Sequence, residues 1–429
     1  MAQMSQAGDL TSGPMLQKII LFSLPLAASS FLQLLFNAAD VVVVGRFAGS
    51  AALAAVGSNG ALINLLVNLF VGLALGANVV AARCYGAKDD QGVHEAVQTA
   101  VTLSLVGGVL MAFVGFFAAH GLLELMSSPE DVIDLATLYL KIYFIGMPMT
   151  MLYNFNASLL RAVGDTRRPL YFLIIACLVN IALDVVLVAV LGMGVLGAAL
   201  ATILSQGVSA VLVLVSLTRA ETVYRLDWKQ VRFHGRLLGD ILRVGVPAGL
   251  QSNMYAISNI LIQTAINGFG TATVAAWTAH GKVDGFFWMI LGAYGISITT
   301  FAGQNFGAQK YDRIRRSVRV CLALGFGSAV LMSVLYCSLA PYLLGLFTRD
   351  AEVVSIGLDM VRQLVPYYFT YVCIEILAGA ARGCGCSLAP MLMTCGGVCV
   401  LRVAWIFILL PLRPELSTVL VSYPASWVF

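Results

Sequence analysis

The sequence predicts an all-α polytopic membrane protein with twelve transmembrane helices, arranged as two parallel six-helix repeats. Of its 429 residues 60% are apolar and only 11% are charged, which is too apolar for a soluble domain. Apolar runs at or above the roughly 20 residues that a spanning helix needs recur along the whole chain. A β-barrel would instead show segments of about ten alternating residues. Short motifs also return half a chain later.

Hydropathy divides the twelve spans into two sets of six. They cover approximately 18–44, 51–82, 95–119, 132–158, 170–191, 195–217, 240–266, 272–302, 318–345, 353–380, 390–411 and a last one from about 416. An Arg-rich linker, residues 219–239, separates a first domain (1–218) from a second (240–429). The repeat predicts an end beyond about residue 435, so the last helix is expected to be incomplete.

Lys and Arg are concentrated in the loops after spans two, four, six and eight. These residues are Arg83, Lys88, Arg161, Arg167, Arg168, six residues from Arg219 to Arg243, Lys310, Arg313, Arg315, Arg316 and Arg319. The opposite loops hold only Arg46, Arg349 and Arg413. This bias places the amino terminus and the linker in the cytoplasm and the chain in the plasma or inner membrane. The net charge of +4 therefore reflects topology, and no nucleic acid partner is expected.

Cysteine and histidine give no support for a metalloenzyme. Most of the nine cysteines lie inside spans, where they are expected to act as small apolar residues. The four histidines are scattered, at positions 94, 120, 234 and 280. The sequence therefore predicts no catalytic activity and no cofactor, and the expected partners of a monomeric chain are membrane lipid and a small molecule.

Internal repeats link the two halves. Arg161, Gly164 and Pro169 match Arg382, Gly385 and Pro390 at an offset of 221 residues, and YGAK at 85–88 matches FGAQ at 306–309. Pro25 pairs with Pro247 at an offset of 222. Because each half has an even number of spans, the repeats enter the membrane from the same side. Paired bundles of this kind favour a transporter that works by alternating access over a pore or an enzyme.

Several motifs together resemble the multidrug and toxic compound extrusion (MATE) family. They are NAADVVVVGRFAGSAALAA after the first span begins, the repeated R-x-x-G-x-x-x-x-P turn, NIALDVVLV followed by MGVLGAALATILSQ, and GQNFGAQKYDRI. The resemblance covers nearly the whole chain. It implies two six-helix lobes in a V shape that export small, often cationic amphiphilic compounds in exchange for Na⁺ or H⁺.

Two carboxylates inside the first set of spans are candidate functional residues, because a charge at the bilayer centre costs about 2.5 to 3.5 kcal/mol on insertion scales. Helical rise places Asp40 about 9 Å and Asp184 about 12 Å from the same membrane face. Thr202 and Asn180 fall near that level. This oxygen-rich set suits Na⁺ or a shared proton, and the resemblance implies a cation site at these four positions. Asn37, one turn before Asp40, is a further candidate, and the alternative is a pair of buried acids satisfied by their neighbours.

The second half lacks this set. An offset of 221 places Asp184 on Trp405, Asn180 on Leu401 and Thr202 on Tyr423. Its own intramembrane charges are Lys282, Asp284, Glu375 and Arg402. These four residues are expected to form either a structural charge network, in which Glu375 and Arg402 are the partners of Lys282 and Asp284, or part of a substrate or proton site.

Aromatic residues near Asp284 leave two interpretations open. Trp277 and His280 precede it, and they fit either a cavity that stacks planar cations or ordinary helix packing. A lipid flippase and a membrane-embedded enzyme are the two alternatives to transport for the whole chain. A flippase for a lipid-linked saccharide or another lipid would need a cationic cavity, and a membrane-embedded enzyme would need a catalytic constellation. Neither feature is apparent in the sequence.

Overall fold

A computed structural model of the chain describes residues 8–125, 130–348 and 350–428. Within these ranges the chain is helical and contains no strand. Arg349 and the ends of the two predicted domains, residues 1–7 and 429, lie outside the described residues.

The first half contains seven α-helices and one π-helical turn. They are α1 (Met15–Phe47), α2 (Gly49–Gly86), α3 (Asp90–Leu125), α4 (Glu130–Ile145), α5 (Met147–Ala162), α6 (Arg167–Asp184) with the π-helical turn Val185–Val190, and α7 (Gly194–Thr218). A short 3₁₀ turn, Trp228–Gln230, lies in the linker. Helices α4 and α5 form one span that is bent by 48°.

The second half follows the same plan. Its helices are α8 (Gly235–Asn267), α9 (Thr271–Gly307), α10 (Tyr311–Gly345), α11 (Ala351–Leu364), α12 (Tyr368–Gly383), α13 (Leu388–Thr394), α14 (Leu401–Leu409) and α15 (Leu416–Val428). The 3₁₀ turn Val365–Tyr367 joins α11 to α12, and the π-helical turn Cys395–Val400 joins α13 to α14. The described helices thus group into the twelve predicted segments.

Nine of these segments are long and apolar enough to span a bilayer, and the bent pair α4–α5 makes ten, among the described residues. Helices α8 and α15 complete the set of twelve. The last of them, α15, has 13 described residues. This architecture confirms the all-α membrane fold predicted from the sequence.

The chain divides into two compact units whose boundaries lie inside helices. The first unit comprises Leu24–Val246 with the residues before Leu10, and the second comprises Leu10–Ser23 and the chain from Pro247 onward. The boundary in α1 falls between Ser23 and Leu24, one residue before the helix-internal Pro25, and the boundary in α8 falls directly before Pro247. A proline inside a helix removes one backbone hydrogen bond. Each of the two long helices therefore passes from one unit to the other near a point where its backbone hydrogen bonding is interrupted.

The repeated sequence motifs form matching turns. Gly164 and Gly385 have φ of 88° and 84°, and each donates its amide to the carbonyl of the Arg three residues earlier, Arg161 or Arg382. A glycine in this left-handed conformation is the usual end of a helix. Lys88 and Gln309 share a positive φ as well, 57° and 58°. The internal repeat is therefore present in the backbone as well as in the sequence.

Small residues allow close helix packing in the second unit. A Cβ atom added to Gly383 on α12 would lie 2.4 Å from the carbonyl oxygen of Thr299 on α9, and one on Gly379 would lie 2.9 Å from that of Gly295. The Thr299 hydroxyl bridges the same helices by donating to the Gly379 carbonyl at 3.0 Å. Such contacts between small residues are a main source of helix association within membranes.

Candidate cation site

Asp40 lies in the part of α1 that belongs to the first unit, and its side chain is enclosed by neighbouring helices. The residue is 7% exposed. The hydroxyl of Thr202 on α7 donates to Asp40 Oδ2 at 3.3 Å and also contacts the Ala198 carbonyl at 3.0 Å. The predicted convergence of α1 and α7 is therefore present in the structure.

Helix α6 brings the second carboxylate to the same place. Asp184 and Asn180 are fully buried, and both side chains interact with the Asp40 carboxyl group. Asp184 is the last residue of α6 before the π-helical turn Val185–Val190. π-Helical turns inside α-helices occur frequently at functional sites. Four predicted residues, Asp40, Asn180, Asp184 and Thr202, thus form one cluster in the first unit.

Several polar atoms of this cluster have no hydrogen-bond partner among the described residues. They are Asp40 Oδ1, both carboxylate oxygens of Asp184, and both Asn180 amide atoms. No Lys or Arg of the described chain forms an ion pair with either acid. Buried polar atoms in proteins are almost always paired, so a group of orphans calls for a specific explanation.

The donor set is chemically suited to a monovalent cation or a proton. Carboxylate, amide and hydroxyl oxygens are hard ligands of the kind that alkali and alkaline-earth cations prefer. A cation or proton between the two carboxylates would also remove their mutual repulsion. Among the described residues, this cluster included, no group of three or more His, Cys, Asp or Glu residues is arranged to hold a metal ion.

Tyr139 on α4 is part of the cluster, although the sequence analysis did not identify it. It is buried, its phenol interacts with Thr202, and it lies near Asp40 and Asp184. Its ring stacks on Tyr143 at a centroid distance of 6.4 Å. A tyrosine in an apolar helix carries no functional signal by itself. Tyr139 nevertheless lies about two helical turns after the start of span four, and this depth could have been compared with that of Asp40.

Asn37 does not join the cluster. Its side chain is exposed, and no hydrogen bond connects it to Asp40 among the described residues. Asn37 and Asp40 are three positions apart, so both could share one face of α1. In the structure only Asp40 is enclosed by neighbouring helices, which corrects the prediction that Asn37 assists it.

In the second unit, the acid Glu375 has a different partner from the one predicted. It accepts from Arg382 Nη2 at 3.2 Å, and the two side chains are 23% and 11% exposed. Both residues lie on α12, two helical turns apart. Glu375 was predicted to serve as a partner of the Lys282 and Asp284 charges, and this contact with Arg382 corrects that prediction.

The other three charges are also separate from one another. Arg402 donates to Ser426 Oγ through Nε and Nη2, at 3.1 and 2.8 Å, and lies 4.1 Å from the Tyr423 ring centre. Asp284 accepts from the Trp288 indole, and Lys282 is exposed. The described residues thus show local partners in place of the single charge network predicted for the four.

Trp277 and His280 lie among packed aromatic rings. His280 is 2% exposed, and its Nδ1 is 2.9 Å from the Tyr336 hydroxyl. Trp277 contacts His280 and Tyr423 at centroid distances of 5.9 and 5.8 Å. Of the two interpretations that the sequence left open, these contacts favour packing.

Two stretches of the chain, residues 25–186 and 247–408, match the profile of the MatE family. The matches have equal length and are 222 residues apart, in agreement with the internal repeat. Together they cover well over half of the chain.

Curated relatives match over most of their length. The probable multidrug resistance protein YoeA of Bacillus subtilis is 29% identical over 417 residues, which is 95% of this chain and 90% of the relative. The probable multidrug resistance protein NorM of Thermotoga maritima is 26% identical, with 88% of this chain and 82% of the relative covered. The multidrug export protein MepA of Staphylococcus saprophyticus is 21% identical over 90% and 85%.

Solved structures share the fold. A MOP superfamily transporter from Pyrococcus furiosus superposes with a TM-score of 0.91 at 23% identity, covering 98% of this chain and 94% of that one. A MATE structure described as the bent conformation gives a TM-score of 0.92 at 23% identity over the same shares. The family profile, the repeat and the whole-chain fold lead to one conclusion: this chain belongs to the MatE family of multidrug and toxic compound extrusion transporters.

Proposed function

We propose that the chain is a secondary active antiporter that exports small, cationic amphiphilic compounds in exchange for Na⁺ or H⁺. One observation carries the proposal: two buried carboxylates, Asp40 and Asp184, lie side by side with orphaned oxygens and no basic partner in the described chain. A membrane protein retains such a costly arrangement where it has a function.

In this proposal, the coupling cation and the exported compound bind in alternation. A cation held by Asp40, Asp184 and Thr202 neutralises the cluster and supplies partners for its orphaned oxygens. Its release leaves two acids that repel each other inside the membrane. The two forms therefore favour different packing of α1, α6 and α7, and this difference is what an antiporter needs to link the two movements.

The substrate class is proposed from the relatives. Those named above are multidrug resistance or multidrug export proteins. We therefore propose that the chain exports several chemically distinct small molecules and not a single metabolite. We also propose that the chain acts as a monomer in the plasma membrane, with its central linker in the cytoplasm.

The test is dye efflux from proteoliposomes that contain the purified protein, under separately imposed Na⁺ and proton gradients. One of the two gradients should drive efflux in wild type. Asp40→Asn should abolish gradient-driven efflux at equal protein content, because the neutral amide cannot exchange a cation. Asp359→Asn is the matched control, since Asp359 is exposed and lies beside Arg362. Efflux at the wild-type rate in Asp40→Asn would disprove the role of this site.

A further inference from the structure

The motif GQNFGAQKYDRI, residues 303–314, lies where α9 ends and α10 begins, and the cation site does not account for it. Its polar side chains contact the short segment Leu10–Gly13, which directly precedes α1. We call this segment the arm. The arm and the motif both belong to the second unit.

The motif holds the arm almost entirely through main-chain atoms. Gln304 Oε1 accepts from the Leu10 amide at 3.0 Å. The Leu10 carbonyl accepts from Asn305 Nδ2 at 3.3 Å and from Arg313 Nε at 3.2 Å. Arg313 Nη2 also donates to the Ser12 and Gly13 carbonyls, at 2.6 and 3.1 Å. Because backbone atoms are recognised, the contacts fix where the arm lies more than which residues form it.

Lys310 makes a second cationic contact with the arm, and Leu10, the first residue of the arm, is buried. Lys310 Nζ donates to the Thr11 carbonyl at 2.9 Å. Leu10 is 2% exposed, and Gln304 and Asn305 are fully buried. Hydrogen bonds from charged donors are shorter and stronger than neutral ones. Each of the four arm residues is thus contacted by the motif.

This arrangement is specific to the second half. At an offset of 221, Gln304, Asn305, Lys310 and Arg313 correspond to Arg83, Cys84, Asp89 and Gly92. None of these four can present the same donors and acceptors. The two halves share the turn, with its positive φ at Lys88 and Gln309, but the turn of the first half does not repeat these four side chains. There the residue before α8, His234, donates its amide to the Thr99 hydroxyl on α3.

The arm continues directly into α1, the helix that carries Asp40. Residues up to Ser23 belong to the second unit, where Phe22 packs edge-to-face on Phe301 at 5.9 Å. From Leu24 onward the same helix belongs to the first unit and supplies Asp40 to the cation site. A constraint at the start of α1 therefore acts on a helix that ends in the cation site.

We propose that Arg313, with Lys310, is a positioning residue for transport: by clamping the arm it sets the position of α1 and thereby the cation affinity at Asp40. The inference rests on the proposed function. Arg313 belongs to the second unit, whereas Asp40 belongs to the first. Its effect is expected in the coupling step and not in substrate binding.

The experiment compares Arg313→Ala, Arg313→Lys and Lys310→Ala with a matched control, Arg315→Ala. Arg315 lies two residues away, is 76% exposed at its side chain and bonds to Asp312. Hydrogen exchange of the Leu10 amide in the purified protein reports the clamp directly. Dye efflux in proteoliposomes gives the half-saturating concentration of the driving cation, and dye binding gives substrate affinity.

We expect Leu10 exchange about tenfold faster in Arg313→Ala, with a half-saturating cation concentration at least about fivefold higher. Dye affinity should stay within about twofold, Arg313→Lys should recover part of both losses, and Lys310→Ala should show smaller shifts in the same direction. Arg315→Ala should match wild type.

The outcomes separate the two proposals. Unchanged Leu10 exchange in Arg313→Ala would overturn the clamp, and wild-type cation dependence despite faster exchange would overturn its link to Asp40. If Arg313→Ala does not purify as a folded protein, the same measurements on Lys310→Ala decide the matter. Absence of gradient-driven efflux from wild type would instead overturn the proposed function, and with it the role of Arg313 in coupling.

Discussion

The two units differ in how they accommodate buried charge. In the first, Asp40 and Asp184 lie together without a basic partner among the described residues, and several of their oxygens are unpaired. In the second, Glu375 pairs with Arg382, and Arg402 is bound by Ser426 and stacked on Tyr423. Asp284 of the second unit also has one unpaired oxygen, but its other carboxylate oxygen accepts from the Trp288 indole. A buried charge that has a partner is costly to leave alone, and a buried polar group without a partner calls for a specific explanation, of which a bound ion is one. This comparison supports our proposal that the cation site lies in the first unit, where two such acids adjoin.

The internal repeat allows the two units to be compared at corresponding residues. The two family matches are 222 residues apart, one more than the offset inferred from the loop motifs. This spacing places Asp40 opposite Ile262 and Asp184 opposite Ile406, and both isoleucines belong to one buried apolar cluster. The offset of 221 shared by the loop motifs places Trp405 opposite Asp184, and neither Trp405 nor Ile406 is an acid. The second half has kept the helices and replaced the acids with hydrocarbon.

Exchanging the acids of the first unit with the isoleucines of the second should have the largest effect on the free energy of unfolding. Ile262→Asp with Ile406→Asp should lower the free energy of unfolding by about 5 to 7 kcal/mol, since each acid in the apolar cluster costs about 2.5 to 3.5 kcal/mol. The reverse exchange, Asp40→Ile with Asp184→Ile, should leave stability equal or higher, because it removes an unpaired buried pair of charges. Denaturant titration in detergent measures both. Equal losses in the two exchanges would contradict the distinction between the units.

Breaking the ion pair of the second unit should have a smaller effect. Glu375→Gln leaves Arg382 without its acid and should cost roughly 3 kcal/mol, whereas Glu375→Gln with Arg382→Gln should recover much of that loss. The same unfolding assay supplies a double-mutant cycle. Asp284→Asn with Arg402→Gln is the control and should couple much more weakly, because these residues have separate partners. Strictly additive losses at Glu375 and Arg382 would show that their contact contributes nothing.

A single hydroxyl of the cation site should have the smallest effect. Thr202→Val removes the donor to Asp40 and should weaken cation binding about fivefold, near the 1 kcal/mol typical of one hydrogen bond. Thr218→Val is its control, since that hydroxyl lies on the same helix and bonds to carbonyls of its own helix. Isothermal titration with the driving cation measures both variants. Equal affinities would remove Thr202 from the site.

The sequence was sufficient to predict the twelve segments, the repeat and four residues of the site. Hydrocarbon makes every buried charge costly, so Asp40 and Asp184 were conspicuous, and helical rise alone placed them at one depth. Tyr139 was missed because an aromatic side chain in a membrane helix is usually ordinary packing. Depth also cannot tell which face of a helix is enclosed, which is why Asn37 was wrongly included.

In the second unit, a side-chain pairing could be predicted from the sequence only where both residues lie on one helix. Glu375 and Arg382 are seven residues apart on α12, two helical turns, so their contact could have been inferred from spacing. The partners of Arg402 could not, because Ser426 and Tyr423 lie on α15 and reach Arg402 only through tertiary packing. Sequence patterns give the depth and face of a residue within one helix, and the partner across helices comes from the fold.

Thermal unfolding of the purified protein, as a function of Na⁺ concentration and of pH, tests the central claim most directly. A ligand that binds only the folded state adds about 2.7 kcal/mol of stability at a hundredfold excess over its dissociation constant. Wild type should gain stability with one of the two cations, Asp40→Asn and Asp184→Asn should lose that gain, and Asp284→Asn and Glu375→Gln should keep it. A gain that persists in Asp40→Asn and Asp184→Asn but disappears in Asp284→Asn would place the cation site in the second unit and contradict the account.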